Sequence, residues 1–409
     1  MIRTLFIGGQ MIFVAFGALV LVPVLVGMDP SIALFTAGAG TLLFSFITKG
    51  KVPVFLASSF AFIAPIQYSL QHFGYGATFT ALASAGVLYV CFSALVFWRG
   101  NQILEKYLPP IITGPLIIVI GLSLADVAVK MSVSWDGSGT FNGNAAIISA
   151  ITFAVAVVMV RSSRRILNVL PIILAILVGY TICLVLGWTN LVPVQQASWL
   201  VFPWQVAAER GLFELPAWSL QAILFMLPVA IAPAIEHVGD ILAIGSVTKK
   251  DYLKEPGLHR TLLGDGLATI LAGLLGGPPN TTYSEVTGAI AITKAYKVIY
   301  MQIAACLAIV LAFMGKLGAF FQTIPTPVMG GVLILAFGMI ASVGIGTLIR
   351  SKANFEDPKT YLVVAIILVV GIGDLQWTFG SFTIGGLGLA GILGIALHRI
   401  LSIKASKNS

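Results

Sequence analysis

A chain of 409 residues that is 58% hydrophobic and only 9% charged cannot cover a soluble surface, where about a quarter of residues carry charge. Apolar runs near 20 residues long recur from end to end, the length that crosses roughly 30 Å of hydrocarbon. The composition excludes a soluble enzyme, and it predicts an all-α polytopic membrane protein whose +8 net charge has an origin other than nucleic-acid binding.

In chain order, hydrophobic windows place spans at approximately 5–27, 31–48, 54–72, 77–98, 110–129, 145–160, 168–188, 218–247, 261–275, 281–293, 298–315, 324–346, 359–373 and 383–402. The first follows Arg3 and has no small-residue cleavage site after it, so it is expected to be retained. With the N-terminus in the cytoplasm, 20 of the 23 basic residues fall on the inward side, Lys106, Arg165 and Lys407 among them. Only Lys130, Arg210 and Lys316 fall elsewhere. The positive-inside rule then puts both termini in the cytoplasm, with an even number of spans.

About fourteen spans divide into two matching halves. Pro110, Gly114 and Gly121 repeat as Pro327, Gly331 and Gly338 at an offset of 217, and Pro53 repeats as Pro278 at an offset of 225. Seven spans per half is odd, so the second half enters from the opposite face. That is an inverted repeat, an architecture of many secondary transporters. Between the halves, 189–217 carries Trp199, Phe202, Trp204 and Phe213 and reads as an interfacial outer linker.

Two carboxylates stand deep in apolar sequence. Glu236 follows LPVAIAPAI, and Glu285 follows GGPPNTTYS. An acid inside a span is costly and marks function. The proline and glycine runs beside them predict short extended breaks in spans 3 (VPVFLASSFAF, 52–62) and 10 (276–285). Half-helices starting after those breaks would point unpaired amides into a mid-membrane cavity, with Asn280, Thr281 or Thr282 as the expected cap of the second. Amide donors plus two carboxylate acceptors suit a planar solute with alternating carbonyls and N–H groups, which is the edge of a nucleobase.

The remaining polar residues read blandly. Cys91, Cys183 and Cys306 are expected to be small buried side chains, with no disulfide framework and no metal spacing. Asp126 and Lys130 form an i,i+4 pair at a solvated helix end. Asp265 is expected near a helix N-terminus, and Asp374 lies in an outer loop.

EHVGD (236–240), PNTTYSE (279–285) and GxxxxTK (288–294) resemble the nucleobase–ascorbate transporter family, and within it the bacterial uracil permeases. FGALVLVPVL (16–25), KGKVPVFLASSFAFIAP (49–65), KKDYLKEPGLHR (249–260) and IPTPVMGGV (324–332) extend the resemblance over essentially the whole chain. It implies a core domain (1–108 and 218–315) and a gate domain (109–189 and 316–409), joined by an extracytoplasmic linker (190–217). It also implies a homodimer in the cytoplasmic (inner) membrane that imports uracil with a proton and uses no other cofactor.

Carried over by position, Glu236 and Glu285 accept the N–H groups of uracil. The amides of Phe60 and Ser284 donate to its carbonyls, and Tyr283 shapes the pocket. Asp240 stands where uracil permeases often carry histidine, Gln10-Met11 where the family has Gln-His, and Val286 where it has asparagine. Aspartate at the first of these also resembles the xanthine and urate branch, while NTTY before Glu285 resembles the uracil branch. A xanthine or urate permease is therefore the alternative, followed by an anion pathway of the related fourteen-span fold. Glu236 and Asp240 are i,i+4 and share a helix face about 6 Å apart. Two acids that close do not both stay ionised, so Asp240 with Glu236 is the expected proton carrier, with His237 as a further candidate.

Overall fold

The computed structural model describes residues 2–101, 109–164, 167, 170–379 and 382–405. The inward-side Lys106, Arg165 and Lys407 lie outside the described residues. Helix α1 (Ile2–Phe16) runs through a π-helical turn (Gly17–Leu21) into α2 (Val22–Val26), which ends on left-handed Gly27. Asp29 caps α3 (Pro30–Ile47) by accepting from the amides of Ser31 and Ile32. Strand β1 (Leu56–Ser58) and a 3-10 turn (Phe60–Phe62) lead into α4 (Ile63–Arg99). Thirty-seven helical residues would run about 55 Å, far beyond one bilayer. The backbone instead breaks at Gly74 (φ 77, ψ 178), which divides the stretch into two helices.

There follow α5 (Pro110–Ser123), α6 (Ala125–Val133), α7 (Gly143–Arg161), α8 (Pro171–Val185), and the short α9 (Val192–Gln196) and α10 (Pro203–Glu209). Helices α11 (Leu220–Val229) and α12 (Ile231–Thr248) join at Ala230, and α13 (Leu258–Leu274) precedes β2 (Asn280–Thr282). The chain continues through α14 (Ser284–Thr293), α15 (Val298–Ala312), α16 (Gly315–Gln322), α17 (Thr326–Arg350) and α18 (Pro358–Ile372). A hairpin of β3 (Trp377–Phe379) and β4 (Phe382–Ile384) leads to α19 (Gly386–Ala405).

Seven helical stretches among the described residues are long and apolar enough to cross a bilayer, and four shorter apolar helices accompany them. The protein is a mostly helical, multi-pass membrane protein. Large apolar side chains such as Phe97, Val185 and Val369 stand exposed, as lipid-facing surfaces require.

Helix pairs touch where side chains are smallest, because lipid provides no hydrophobic drive and close van der Waals fit must supply it. A Cβ on Gly86 of α4 would fall 2.5 Å from the Gly266 carbonyl of α13. One on Gly121 of α5 would fall 2.5 Å from the Phe337 carbonyl of α17, and one on Gly344 of α17 would fall 2.6 Å from that of Gly114. Of the glycines noted for their spacing, Gly114 and Gly121 thus lie at the α5–α17 contact, whereas Gly331 packs against Ser149 of α7 and Gly338 has nothing within 4 Å.

Two expectations are corrected here. Asn280, Thr281 and Thr282 do not cap α14. They pair as a strand, and Tyr283 occupies the N-cap without a side-chain bond. Pairing holds their backbone one step too early in the chain to reach the first helical amides. Cys183 is buried, but Cys91 and Cys306 are exposed, because each falls on the outward face of its helix.

Candidate solute-binding site

The site grows from a strand crossing. β1 and β2 pair antiparallel with Leu56 opposite Thr282, Ala57 opposite Thr281 and Ser58 opposite Asn280. Both strands are fully buried, so every backbone group needs a partner. Neighbouring helices supply the bonds that the short ladder lacks. Thr41 of α3 accepts from the Leu56 amide at 2.9 Å, and Thr269 of α13 donates to the Asn280 carbonyl at 2.7 Å. The Asn280 amide group donates to the Thr36 carbonyl at 2.9 Å, where Gly40 leaves it room. Leaving the crossing, one chain turns at Phe60 into α4 and the other enters α14 at Ser284. The first amides of a helix have no partner within it, so both starts can donate to a polar solute.

Beside the crossing lies a cavity of about 250 Å3. One wall holds Glu236 of α12, Glu285 of α14, Phe60 and Tyr283, with Ser58, Ser59 and Thr281. The opposite wall is apolar: Ile117 and Ile120 of α5 and Met339, Ile340 and Val343 of α17. The Phe60 and Tyr283 rings stack at 6.4 Å and 27°. All seven residues of the polar wall come from the strand crossing, its helices or α12, so the fold separates a recognising surface from an apolar one.

Of the residues singled out in the sequence, Glu236, Glu285, Phe60 and Tyr283 meet in this cavity, and Ser284 adjoins them as the first residue of α14. Asp240 and His237 do not line it. Asp240 is buried behind Glu236 and accepts a 2.8 Å hydrogen bond from Thr282. His237 is fully buried, with Nδ1 3.3 Å from Oδ2 of Asp265. This corrects the reading of Asp265 as an acid at a helix start: α13 begins at Leu258, and the carboxylate sits two turns in, fully buried. A buried acid two turns into a helix gains nothing from the helix N-terminus, whose effect fades within one turn.

Sequence reasoning also passed over Ser58 and Ser59, and it offered Thr281 only as a helix cap. Their hydroxyls are buried and lack a hydrogen-bond partner among the described residues, which is costly without a solute or water to bind. The signal was the adjacent serine pair inside an apolar run.

Acceptors, donors and an apolar cover around one cavity define a solute carrier of the membrane. No cluster of three or more potential metal-ligating side chains occurs among the described residues. The fold is similar to that of murine Slc26a9, an anion transporter solved in the inward-facing state (TM-score 0.71, 12% identity, 99% of this chain and 69% of that one). By sequence the chain is 48% identical to a "Probable uracil permease" of Haemophilus influenzae over 97% of its own length and 94% of the relative. It is 42% identical to a uracil permease of Bacillus caldolyticus over 96% and 90%. A model described as "Permease family" matches residues 2–379. The chain belongs to that family, the nucleobase–ascorbate transporters whose motifs it carries.

Proposed function

We propose that this protein is a proton-coupled symporter that imports uracil across the cytoplasmic membrane. The observation that carries the reading is that Glu236 and Glu285 face one 250 Å3 cavity beside two helix starts. Uracil has two N–H donors for the carboxylates and two carbonyls for the amides at Phe60 and Ser284. Tyr283 and Phe60 supply flat walls. The names of relatives at 48% and 42% identity over nearly the full chain support the same solute.

The architecture we propose has fourteen spans in a seven-plus-seven inverted repeat. A core domain (1–108 and 218–315) moves against a gate domain (109–189 and 316–409), with 190–217 as the outer linker. Helix contacts support it, because they recur when the halves are exchanged. α3 packs on α15 as α13 packs on α4, α1 on α15 as α11 on α4, and α7 on α17 as α18 on α5. Both termini are cytoplasmic in this reading, and two copies form a homodimer. The coupling proton resides on Glu236 and Asp240, neighbours on the continuous helix α12, with His237 and Asp265 buried behind them.

A purine substrate is the second reading, favoured by aspartate at 240. An anion is disfavoured by two carboxylates at the site. Vesicles loaded with the protein and given an inward proton gradient should accumulate labelled uracil, and excess xanthine should not compete. Glu236→Gln and Glu285→Gln should each abolish binding. Accumulation without a gradient, or competition by xanthine at equal concentration, overturns this assignment.

A further inference from the structure

A second cavity, of about 120 Å3, lies on the other side of Phe60 from the central one, and the two share only Phe60 and Ile120 as lining residues. A single layer of side chains therefore separates them. On the orientation proposed above, the second cavity is extracytoplasmic.

Its chemistry differs from the rest of the gate surface. Toward the central cavity the gate helices α5 and α17 offer only apolar side chains. Toward the second cavity the gate offers Asp374, Gln376 and Ser123, opposite the core aromatics Tyr68 and Phe225. Tyr68 is held rigid between Phe225 (4.7 Å, 22°) and His72 (3.9 Å, 15°). Asp374 is fixed as well: Oδ1 accepts from the Gly386 amide and Oδ2 from the Gln376 side chain, each at 3.1 Å. Gly386 permits this, since a Cβ there would lie 2.6 Å from the Asp374 Cα. A carboxylate has about four acceptor positions, so capacity remains after those two bonds. Asp374 and Gln376 are exposed at the mouth of this cavity, so their remaining donors and acceptors face any solute that enters from that side.

We propose that this vestibule is an outer subsite where a monocyclic, amide-bearing base docks before it passes Phe60. Asp374 accepts a ring N–H, the Gln376 side chain pairs with the neighbouring carbonyl, and Tyr68 and Phe225 form the flat wall. The space is comparable with the cavity of about 150 Å3 that takes one benzene ring. A space of that order suits one six-membered ring better than a fused pair. The inference rests on the uracil reading and deepens it.

The test uses the full-length protein in vesicles and in detergent, with Asp374→Asn and Gln376→Ala. Asparagine keeps an oxygen for the Gly386 amide and removes the charge-assisted bond, which is about twice as strong as a neutral one. Uptake kcat/KM at low external uracil should fall at least about fivefold in each variant. Equilibrium uracil binding by the purified protein, which reports the central site, should not change. Unchanged uptake overturns the outer subsite. So does a loss of equilibrium binding in proportion to uptake, because the residues would then act through the central site. Wild-type uptake and xanthine competition in the same vesicles report separately on the uracil reading.

Discussion

Thr282 donates its hydroxyl to the Asp240 carboxylate at 2.8 Å, tying the strand that crosses mid-membrane to the helix that carries Glu236. Asp240 thus links α12, one turn beyond Glu236, to the crossing itself. If Glu236 and Asp240 share the transported proton, Asp240→Asn should retain uracil exchange and lose proton-driven accumulation. Thr282→Val should lower the transport rate while binding survives. The measurement is counterflow beside gradient-driven uptake. Full accumulation by Asp240→Asn would remove this pair from the mechanism.

Behind that pair, His237 and Asp265 depend on each other. Neither has solvent access, and removing one partner leaves the other desolvated, at a cost of about 1–3 kcal/mol. Asp265→Asn and His237→Gln should each lower the melting temperature in detergent. The double variant should be destabilised by less than the sum, since contacting residues couple. Strict additivity would mean that the 3.3 Å approach contributes nothing.

The α4–α13 contact permits no side chain at Gly86 or Gly266. Each added Cβ would meet the other's carbonyl oxygen, at 2.5 and 2.8 Å, and backbone cannot give way as a side-chain tip does. Gly266→Ala should destabilise by about 1–3 kcal/mol, read as a lower melting temperature. Gly338→Ala, within α17 and with nothing within 4 Å of its Cβ, gives a comparison without crowding or left-handed backbone.

Outside the spans, Asp29 has a pH signature. Burial holds its carboxyl above the ordinary carboxylate range, while the Ser31 and Ile32 amides and Arg210 pull the other way. The folded state therefore binds this proton more tightly than the unfolded chain does. Its stabilising contribution is complete below the ordinary value near 3.8 and is lost as pH rises through the raised value. Asp29→Asn keeps the helix cap, since the two residues cap equally well, and should flatten that acid-side decline in thermal stability. Asp29→Ala removes the cap together with the titrating group, so its cost of about 1 kcal/mol should be largest at low pH and shrink as pH rises. A wild-type stability that rises across the same interval would contradict this assignment.

Much of this molecule was legible in the linear chain. Hydropathy located the helices, including the separation at Gly74 hidden within one 37-residue stretch. Acids in apolar sequence flanked by proline and glycine marked Glu236 and Glu285, because charge in a span is expensive wherever it occurs. The contacts of two linker aromatics were not legible: Trp204 donates to the Leu275 carbonyl and Phe213 stacks on Phe79. A partner distant in sequence decided each case.

The sequence by itself determined that this is a membrane protein with buried acids at broken helices, since those features follow from local composition and the cost of desolvation. Only the tertiary structure decided that residues 56–58 pair with 280–282, that Glu236 faces the cavity while Asp240 lies behind it, and that His237 meets Asp265. Those outcomes depend on through-space neighbours more than 20 residues away, or on which side of a single helix turn faces the crossing. No local periodicity encodes either.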